Sequence, residues 1–273
     1  MKIGIIGLGL MGASFAKAWK PQHTIIAYDQ NKQVMERAVR DHLVTHAATS
    51  VDEVIHQSDL LWICLYPVAT KQFIETYQST FPSGMIVCDI SGIKSVYNDI
   101  VLRDDIRYLW THPIAGRAAS GYDAHNTAMF QGANFILTPT HHADEDATST
   151  VTALVNECGF ASVTTMTPEE HDARIAYTSQ LTHAIAVSLM NSGDDDLGFA
   201  SIIGDSYRDL TRIARINDAM WSELFLLNQA ALLEQMQQFK EHFTALMEAV
   251  ERGDQEAVRF LMQQSKEKRE RLS

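Results

Sequence analysis

Two polar segments could carry chemistry: Asp89-Ile90-Ser91-Gly92-Ile93-Lys94 and Trp110-Thr111-His112-Pro113-Ile114-Ala115-Gly116. Each follows a short apolar run rich in β-branched residues, the pattern of a buried strand. His112 is of the side-chain type that exchanges a proton near neutral pH, and because ligands of doubly wound sheets bind beyond the carboxyl ends of strands, Ser91 and His112 are both expected at the cofactor crevice. Further on, His171, Ile175, Ser179 and His183 recur every fourth residue with Asp172 beside them, so a helix would show them on one face. Asp209 to Ala214 sets Arg212 in an otherwise amphipathic helix, and Met220-Trp221 and Asn228 follow. Each has a plain structural reading as well: a His before Pro is a common turn residue, and a lone Arg is usually a surface charge. His42-x-x-x-His46 and His141-His142 have no partner acid at metal-site spacing, so they predict surface histidines and no metal.

A different chemistry belongs to Gly7-Leu8-Gly9-Leu10-Met11-Gly12. Gly7 permits a tight turn, Gly9 removes the side chain that would block a pyrophosphate, and Gly12 lets a following helix pack closely while its N-terminus faces the anion. The motif lies between the apolar run Ile3 to Ile6 and the helix-like Ala13 to Trp19. A second run ends in Tyr28-Asp29, seventeen residues after Gly12. An acid there accepts hydrogen bonds from ribose hydroxyls and repels a 2′-phosphate, so Asp29 predicts NAD rather than NADP.

The elements that must hold these residues fall into two groups. Short runs at Ile3 to Ile6, Thr24 to Tyr28, Leu60 to Leu65, Met85 to Ile90, Ile106 to Trp110 and Asn134 to Leu137 alternate with helix-like stretches. Strands buried on both faces need such continuous hydrophobicity, so residues 1–166 predict a Rossmann-type, doubly wound, mainly parallel sheet. Thr167-Pro168-Glu169-Glu170 then starts a helix, with a capping Thr, a Pro suited to the first turn and two acids at the positive end of the dipole. Only helical periodicity follows, about 168–192, 199–215, 217–251 and 255–270, so residues 167–273 predict an all-helical second domain. Its apolar stripes, Leu224, Leu227, Ala231 and Met236 among them, exceed what so small a unit can cover and predict a homodimer.

Composition narrows the function. The chain has 273 residues, 46% apolar and 21% charged, with 22 Lys and Arg against 34 Asp and Glu for a net charge of −12. That surface repels phosphate backbones, and no apolar run is long enough to span a bilayer, so the partner should be a small molecule rather than nucleic acid or membrane. Cys64, Cys88 and Cys158 are far apart, which fits a reducing cytoplasm, and the glycines near the N-terminus argue against a targeting helix.

Taken in order, these motifs resemble the prephenate dehydrogenase family, which includes the arogenate and cyclohexadienyl dehydrogenases of tyrosine biosynthesis. The resemblance runs from the Gly7 to Gly12 turn through Asp89 to Lys94, His112 to Gly116 with Ser120-Gly121, His171-Asp172 with Ser179 and His183, and Asp209 to Ala214 with Met220-Trp221. It implies NAD-dependent oxidative decarboxylation, with His112 as the catalytic histidine, Ser91 hydrogen-bonded to it and orienting it, and Arg212 and His183 holding the substrate side chain, with Ser179 on the same face. Met11, Ala13, Ile114 and Gln180 depart from the family's commoner residues. Arg117, five residues after His112, could place a cation beside the substrate side chain, repelling the ammonium of arogenate and favouring prephenate. A β-hydroxyacid dehydrogenase would need a Lys early in the helical half, and none lies between Lys94 and Lys240. A non-catalytic NAD-sensing protein would bind the cofactor without turning it over.

Overall fold

The computed structural model describes residues 1–117, 119–193 and 201–272. Its strands are β1 (Lys2–Ile6), β2 (Thr24–Tyr28), β3 (His46–Ala47), β4 (Leu60–Ile63), β5 (Ile86–Asp89), β6 (Arg107–Ile114), β7 (Asn134–Pro139) and β8 (Ser162–Thr165). They form one sheet in the order β3-β2-β1-β4-β5-β6-β7-β8. The first six run parallel; β7 is antiparallel to β6, and β8 follows β7. Helices α1 (Leu10–Trp19), α2 (Lys32–Arg40), α3 (Val51–Gln57), α4 (Pro67–Tyr77) and α5 (Glu145–Glu157) cover it.

Alternation along β4 shows why both faces need cover. Leu60 and Trp62 pack with Phe15 and Trp19 of α1 and Leu154 of α5, while Leu61 and Ile63 pack with Val54, Ile55, Phe73 and Ile74 of α3 and α4. Full burial of each such side chain contributes roughly 1.5–3 kcal/mol. The sheet is therefore the doubly wound Rossmann type, and the chain order reverses at β1, between β2 and β4, where such sheets open a crevice.

The second half is helical: α6 (Pro168–Ile175), a π-helical turn at Ala176–Gln180, α7 (Leu181–Asn191), α8 (Asp205–Thr211), α9 (Asp218–Leu227), α10 (Gln229–Glu251) and α11 (Gln255–Glu270). Among the described residues, no helix is long and apolar enough to cross a membrane.

Four expectations need correcting. β3 and β8 lack the apolar runs that betray strands: one has two residues, and the other is the largely exposed edge segment Ser-Val-Thr-Thr. β6 does not stop at Trp110 but runs on to Ile114, because β7 pairs with it through His112↔Ile136 and Pro113↔Phe135. The pairing with β5 has ended at Leu109↔Cys88, so Pro113 sits where β6 has a neighbour on one side only, where a strand tolerates proline. The single helix expected over 217–251 breaks at Asn228, whose backbone (φ −110, ψ 31) leaves the helical region while its buried amide donates to Asp172 O and Gln180 Oε1, both at 2.9 Å. The helix expected over 199–215 is ordered over Asp205–Thr211 and continues as a tight turn, Arg212–Ala214; residues 199–200 lie outside the described residues.

Thr167 starts α6 as expected. Its hydroxyl accepts from the Glu170 N–H at 3.2 Å, and the Glu170 carboxylate accepts from the Thr167 N–H at 3.3 Å, a reciprocal box that satisfies two otherwise unpaired amides. Thr167→Ala is expected to cost about 1 kcal/mol, a fall in Tm of about 2–4 °C for a chain of this size, and Thr167→Ser to restore it. Calorimetry checks this, and an unchanged Tm in the Ala variant would show that packing alone holds the start of α6.

Candidate functional site

The first turn after β1 is shaped by what a side chain would strike. Gly7 has φ +90 and donates its N–H to Tyr28 O at 2.9 Å; a Cβ there would lie 2.6 Å from Cys64 O. A Cβ on Gly12 would lie 1.9 Å from Gly7 O, so turn and helix approach as closely as backbone allows. At Gly9, by contrast, a Cβ would meet nothing within 4 Å, and this residue caps α1 with no side-chain hydrogen bond. The helix N-terminus thus opens on free space, and first-turn amides with a positive dipole end suit a pyrophosphate. Asp29 closes the far side: Oδ2 accepts from Leu8 N–H at 2.7 Å and Oδ1 from Asn31 N–H at 2.8 Å. Each oxygen keeps a lone-pair direction for a ribose hydroxyl. The residues present fit a dinucleotide.

His112, on β6 beyond the end of β5, lies on the same edge of the sheet. Its Nδ1 is 2.8 Å from Nε2 of His171, whose Nδ1 is 2.7 Å from Oδ1 of Asp172. His171 is fully buried and His112 half-buried. Asp172 also accepts backbone N–H bonds from Lys94 (Oδ1) and Ser95 (Oδ2), both at 2.8 Å. Burial pushes the Asp172 carboxyl upward, but the His171 hydrogen bond and these amides hold it below the usual carboxylate range. Burial, with His171 and Lys94 adding to it, drives the His112 imidazole well below its usual value, and burial also lowers that of His171. His112 is therefore a neutral imidazole at neutral pH.

Behind His112 lies a buried ionic network. Lys94 Nζ bonds both oxygens of Asp89, at 3.0 and 2.8 Å, and Thr111 O at 2.6 Å, with both charged side chains fully buried. Asp89 also receives Thr111 N–H (2.7 Å), Ser91 N–H (2.8 Å) and the Tyr97 hydroxyl (2.8 Å). The Ser91 hydroxyl is paired with that of Tyr97 in this network. The expected hydrogen bond from Ser91 to His112 gives way to others: the ring partner of His112 is His171, and the Ser91 hydroxyl pairs with Tyr97.

Two family models match the chain. Residues 12–164 match the family model described as the prephenate dehydrogenase nucleotide-binding domain, and residues 167–264 match that described as the prephenate dehydrogenase dimerization domain. A cyclohexadienyl dehydrogenase of Zymomonas mobilis is 31% identical over 92% of this chain and 89% of its own. A prephenate dehydrogenase of Bacillus subtilis is 26% identical over 98% of this chain and 75% of its own. The structure superposes with a TM-score of 0.87 on a prephenate dehydrogenase from A. aeolicus in complex with hydroxyphenyl propionate and NAD+, at 25% identity over 100% and 98% of the two chains. The chain belongs to the prephenate dehydrogenase family.

Membership makes it an oxidoreductase of the prephenate, arogenate and cyclohexadienyl dehydrogenase group, and turns attention to the helical side of the crevice. The π-helical turn inserts an extra residue between His171 and His183 and so breaks the four-residue line expected from sequence: His171 turns to His112, while His183 turns to α9. His183 Nδ1 donates to Ser179 O at 2.9 Å, and its ring stacks on Trp221 at 3.7 Å between centroids. Burial lowers the His183 pKa, the hydrogen bond to Ser179 O works against it, and the Arg212 cation adds to the lowering. One turn along α9, Leu224 would lie 3.4 Å from a Cβ on Gly92, and His112 Nε2 3.5 Å from the same point, so α9 borders both the His112 and the His183 sides. Ser179 is half-buried in the π-helical turn, and Arg117 is exposed three residues past the end of β6. Sequence reasoning named His171, Asp172, Lys94 and Asn228 within its motifs without assigning any of them a role, and did not name Tyr97. Only the position of Lys94 two residues after Ser91-Gly92 could have flagged it.

The two glycines of the turn should separate in experiment. Gly9→Ala, with φ −73 and open space around it, should fold with an unchanged Tm yet bind NAD at least about tenfold more weakly, since the methyl occupies the anion's space. Gly12→Ala should lose stability because its methyl meets Gly7 O. Calorimetric titration and thermal melts check both; a Gly9→Ala variant with native NAD affinity would remove the pyrophosphate from this turn.

Proposed function

We propose that this chain oxidises and decarboxylates prephenate to 4-hydroxyphenylpyruvate and carbon dioxide, with NAD as cofactor. The observation that carries the reading is His112: a neutral, half-buried imidazole whose Nε2 points at Gly92, on the same strand-end edge as a turn fitted to a dinucleotide. When bound, NAD supplies the acceptor for the hydride leaving C4 of the ring; Gly7, Leu8, Gly9, Leu10, Met11 and Gly12 would hold its pyrophosphate and Asp29 its ribose. His112 Nε2 takes the C4 hydroxyl proton as the C4–H pair departs. The new carbonyl is conjugated to C1, so the C1–carboxylate bond breaks into the ring, the ring becomes aromatic, and the phenolate oxygen recovers the proton from His112. Ser91 acts indirectly in this reading, through Tyr97 and Asp89.

The side-chain carboxylate survives the reaction, so the Arg212 guanidinium can bind it equally in ground and transition states, with His183 and Ser179 proposed to line the same subsite. Arg117 is proposed to disfavour the ammonium of arogenate. A dual-specificity cyclohexadienyl dehydrogenase is the second reading, favoured by the 31% identity to a relative of that name. A homodimer through the helical half is proposed from the match to the dimerization domain and from exposed apolar residues of α10 and α11, Leu233, Phe243, Met247, Val250 and Phe260. The cysteines Cys64, Cys88 and Cys158 are free thiols, which suits a reducing cytoplasm.

Following NADH absorbance with each substrate tests the assignment. The kcat/KM ratio of prephenate to arogenate is expected above one in the wild type and closer to one in Arg117→Ala. A wild type preferring arogenate would overturn the substrate, and equal ratios in both proteins the role of Arg117. His112→Asn should lower kcat by about 10²- to 10⁴-fold with NAD affinity retained. The acid limb of wild-type kcat/KM follows from the base: a lowered His112 pKa, set by burial, His171 and Lys94, means the ring protonates only below its ordinary 6.5. Activity should therefore hold as pH falls through 6.5 and decline beneath it, and a limb centred at or above 6.5 would contradict the assignment of the base.

A further inference from the structure

A histidine acts as a base through Nε2 only if its single neutral-state proton sits on Nδ1, and something must enforce that choice. We infer that His171 and Asp172 are positioning residues that lock His112 in the tautomer with a proton on Nδ1 and a bare Nε2. The inference rests on the reading of His112 as the base and adds what makes it one.

The choice propagates from Asp172. Its Oδ1 accepts from Lys94 N–H at 2.8 Å and its Oδ2 from Ser95 N–H at 2.8 Å, so it faces donors on both oxygens and is held as a carboxylate. A carboxylate only accepts, so the nitrogen 2.7 Å from Oδ1, His171 Nδ1, must carry the proton. His171 is fully buried, and burial keeps it neutral, which leaves its Nε2 with a lone pair. The atom 2.8 Å from that lone pair, His112 Nδ1, must then be the donor. Neutral His112 has no second ring proton, and its Nε2 remains bare on the side where Gly92 has no side chain. A protonated His171 would reverse the last step and leave His112 with its proton on the wrong nitrogen.

The frame around these rings is rigid. Asn228 donates to Asp172 O at 2.9 Å, and the two imidazoles meet edge to face at 65° with centroids 5.0 Å apart. When the hydroxyl O–H bond of the substrate breaks and an Nε2–H bond forms, His112 becomes an imidazolium that still donates Nδ1–H to His171. The positive charge is then two hydrogen bonds from the Asp172 carboxylate, and His171 keeps its own proton, so no second transfer is needed.

Long-range proton–nitrogen spectra of enzyme labelled with ¹⁵N-histidine read the tautomers directly and need no substrate. His112 and His171 signals are identified by their loss in His112→Asn and His171→Asn. Both rings are expected as Nδ1–H tautomers, opposite to the preference of free neutral histidine; an Nε2–H tautomer at His112 overturns the inference. Kinetics supply the second arm. In His171→Asn the amide can still reach Asp172, but His112 loses its acceptor; in His171→Gln the side-chain oxygen can reach the place of Nε2. The Asn variant should lose at least about tenfold in kcat with KM nearly unchanged, and the Gln variant should recover most of it. Equal losses in the two, or none, would refute the positioning role. A wild type inactive on both prephenate and arogenate would overturn the proposed function instead, and the spectra would still decide the tautomer.

Discussion

The ion pair between Asp89 and Lys94, wholly removed from solvent, frames the site. Two charges out of water are tolerated only when every lone pair and proton is used, and here they are: Asp89 gathers Ser91 N–H, Tyr97 O–H, Thr111 N–H and two bonds from Lys94, which spends its remaining donor on Thr111 O. Lys94 reaches in two directions. Its ammonium pins β6 at Thr111, the residue before His112, and its backbone N–H pins Asp172. Both ends of the His112–His171–Asp172 chain are thus referred to one residue. Removing either charge would leave the other buried and unpaired, at a cost of about 3–5 kcal/mol.

The nucleotide side depends on a different constraint, close backbone approach. Gly7 packs on Cys64 O and Gly12 on Gly7 O, so the turn is held by steric fit between β1, β4 and α1 rather than by charge. The two sides are joined by α9, which belongs to the helical half yet anchors on the start of α4: Glu223 accepts from Val68 N–H at 2.9 Å and Asn217 donates to Tyr66 Oη at 3.2 Å. With Trp221 stacked on His183 and Leu224 over Gly92, one helix spans the gap between the sheet and the residues proposed to hold the substrate.

The sheet half was legible because buried parallel strands need continuous apolar runs and the glycine turn needs its spacing; β3 and β8 were hidden because edge strands of two and four residues need neither. The start of α6 was legible because capping is local chemistry. What escaped was set by contacts distant in sequence. Asn228 breaks a good amphipathic pattern because its amide is bound by Asp172 and Gln180, 56 and 48 residues away. Ser91 could be seen as polar and near His112, but its direction is decided by Tyr97 and Asp89. His171 and His183 looked alike on an ideal helix, and one extra residue in a π-helical turn sends them to different partners.

On the proposed reaction, the placement of positive charge carries a further meaning. The substrate has two carboxylates, one that must leave C1 and one that must not, and a cation beside the first would stabilise the charge whose loss drives aromatisation. Lys94 is a cation acting electrostatically on His112, but its charge is cancelled by Asp89 at 2.8 Å and its ammonium protons are all spent. Lys94 therefore organises the base without offering a free donor to the leaving group. Arg212, exposed on the helical side, is the cation proposed to meet the surviving carboxylate. That asymmetry, a neutralised cation behind the base and an exposed one on the helical side, would let the enzyme grip one carboxylate while the other leaves.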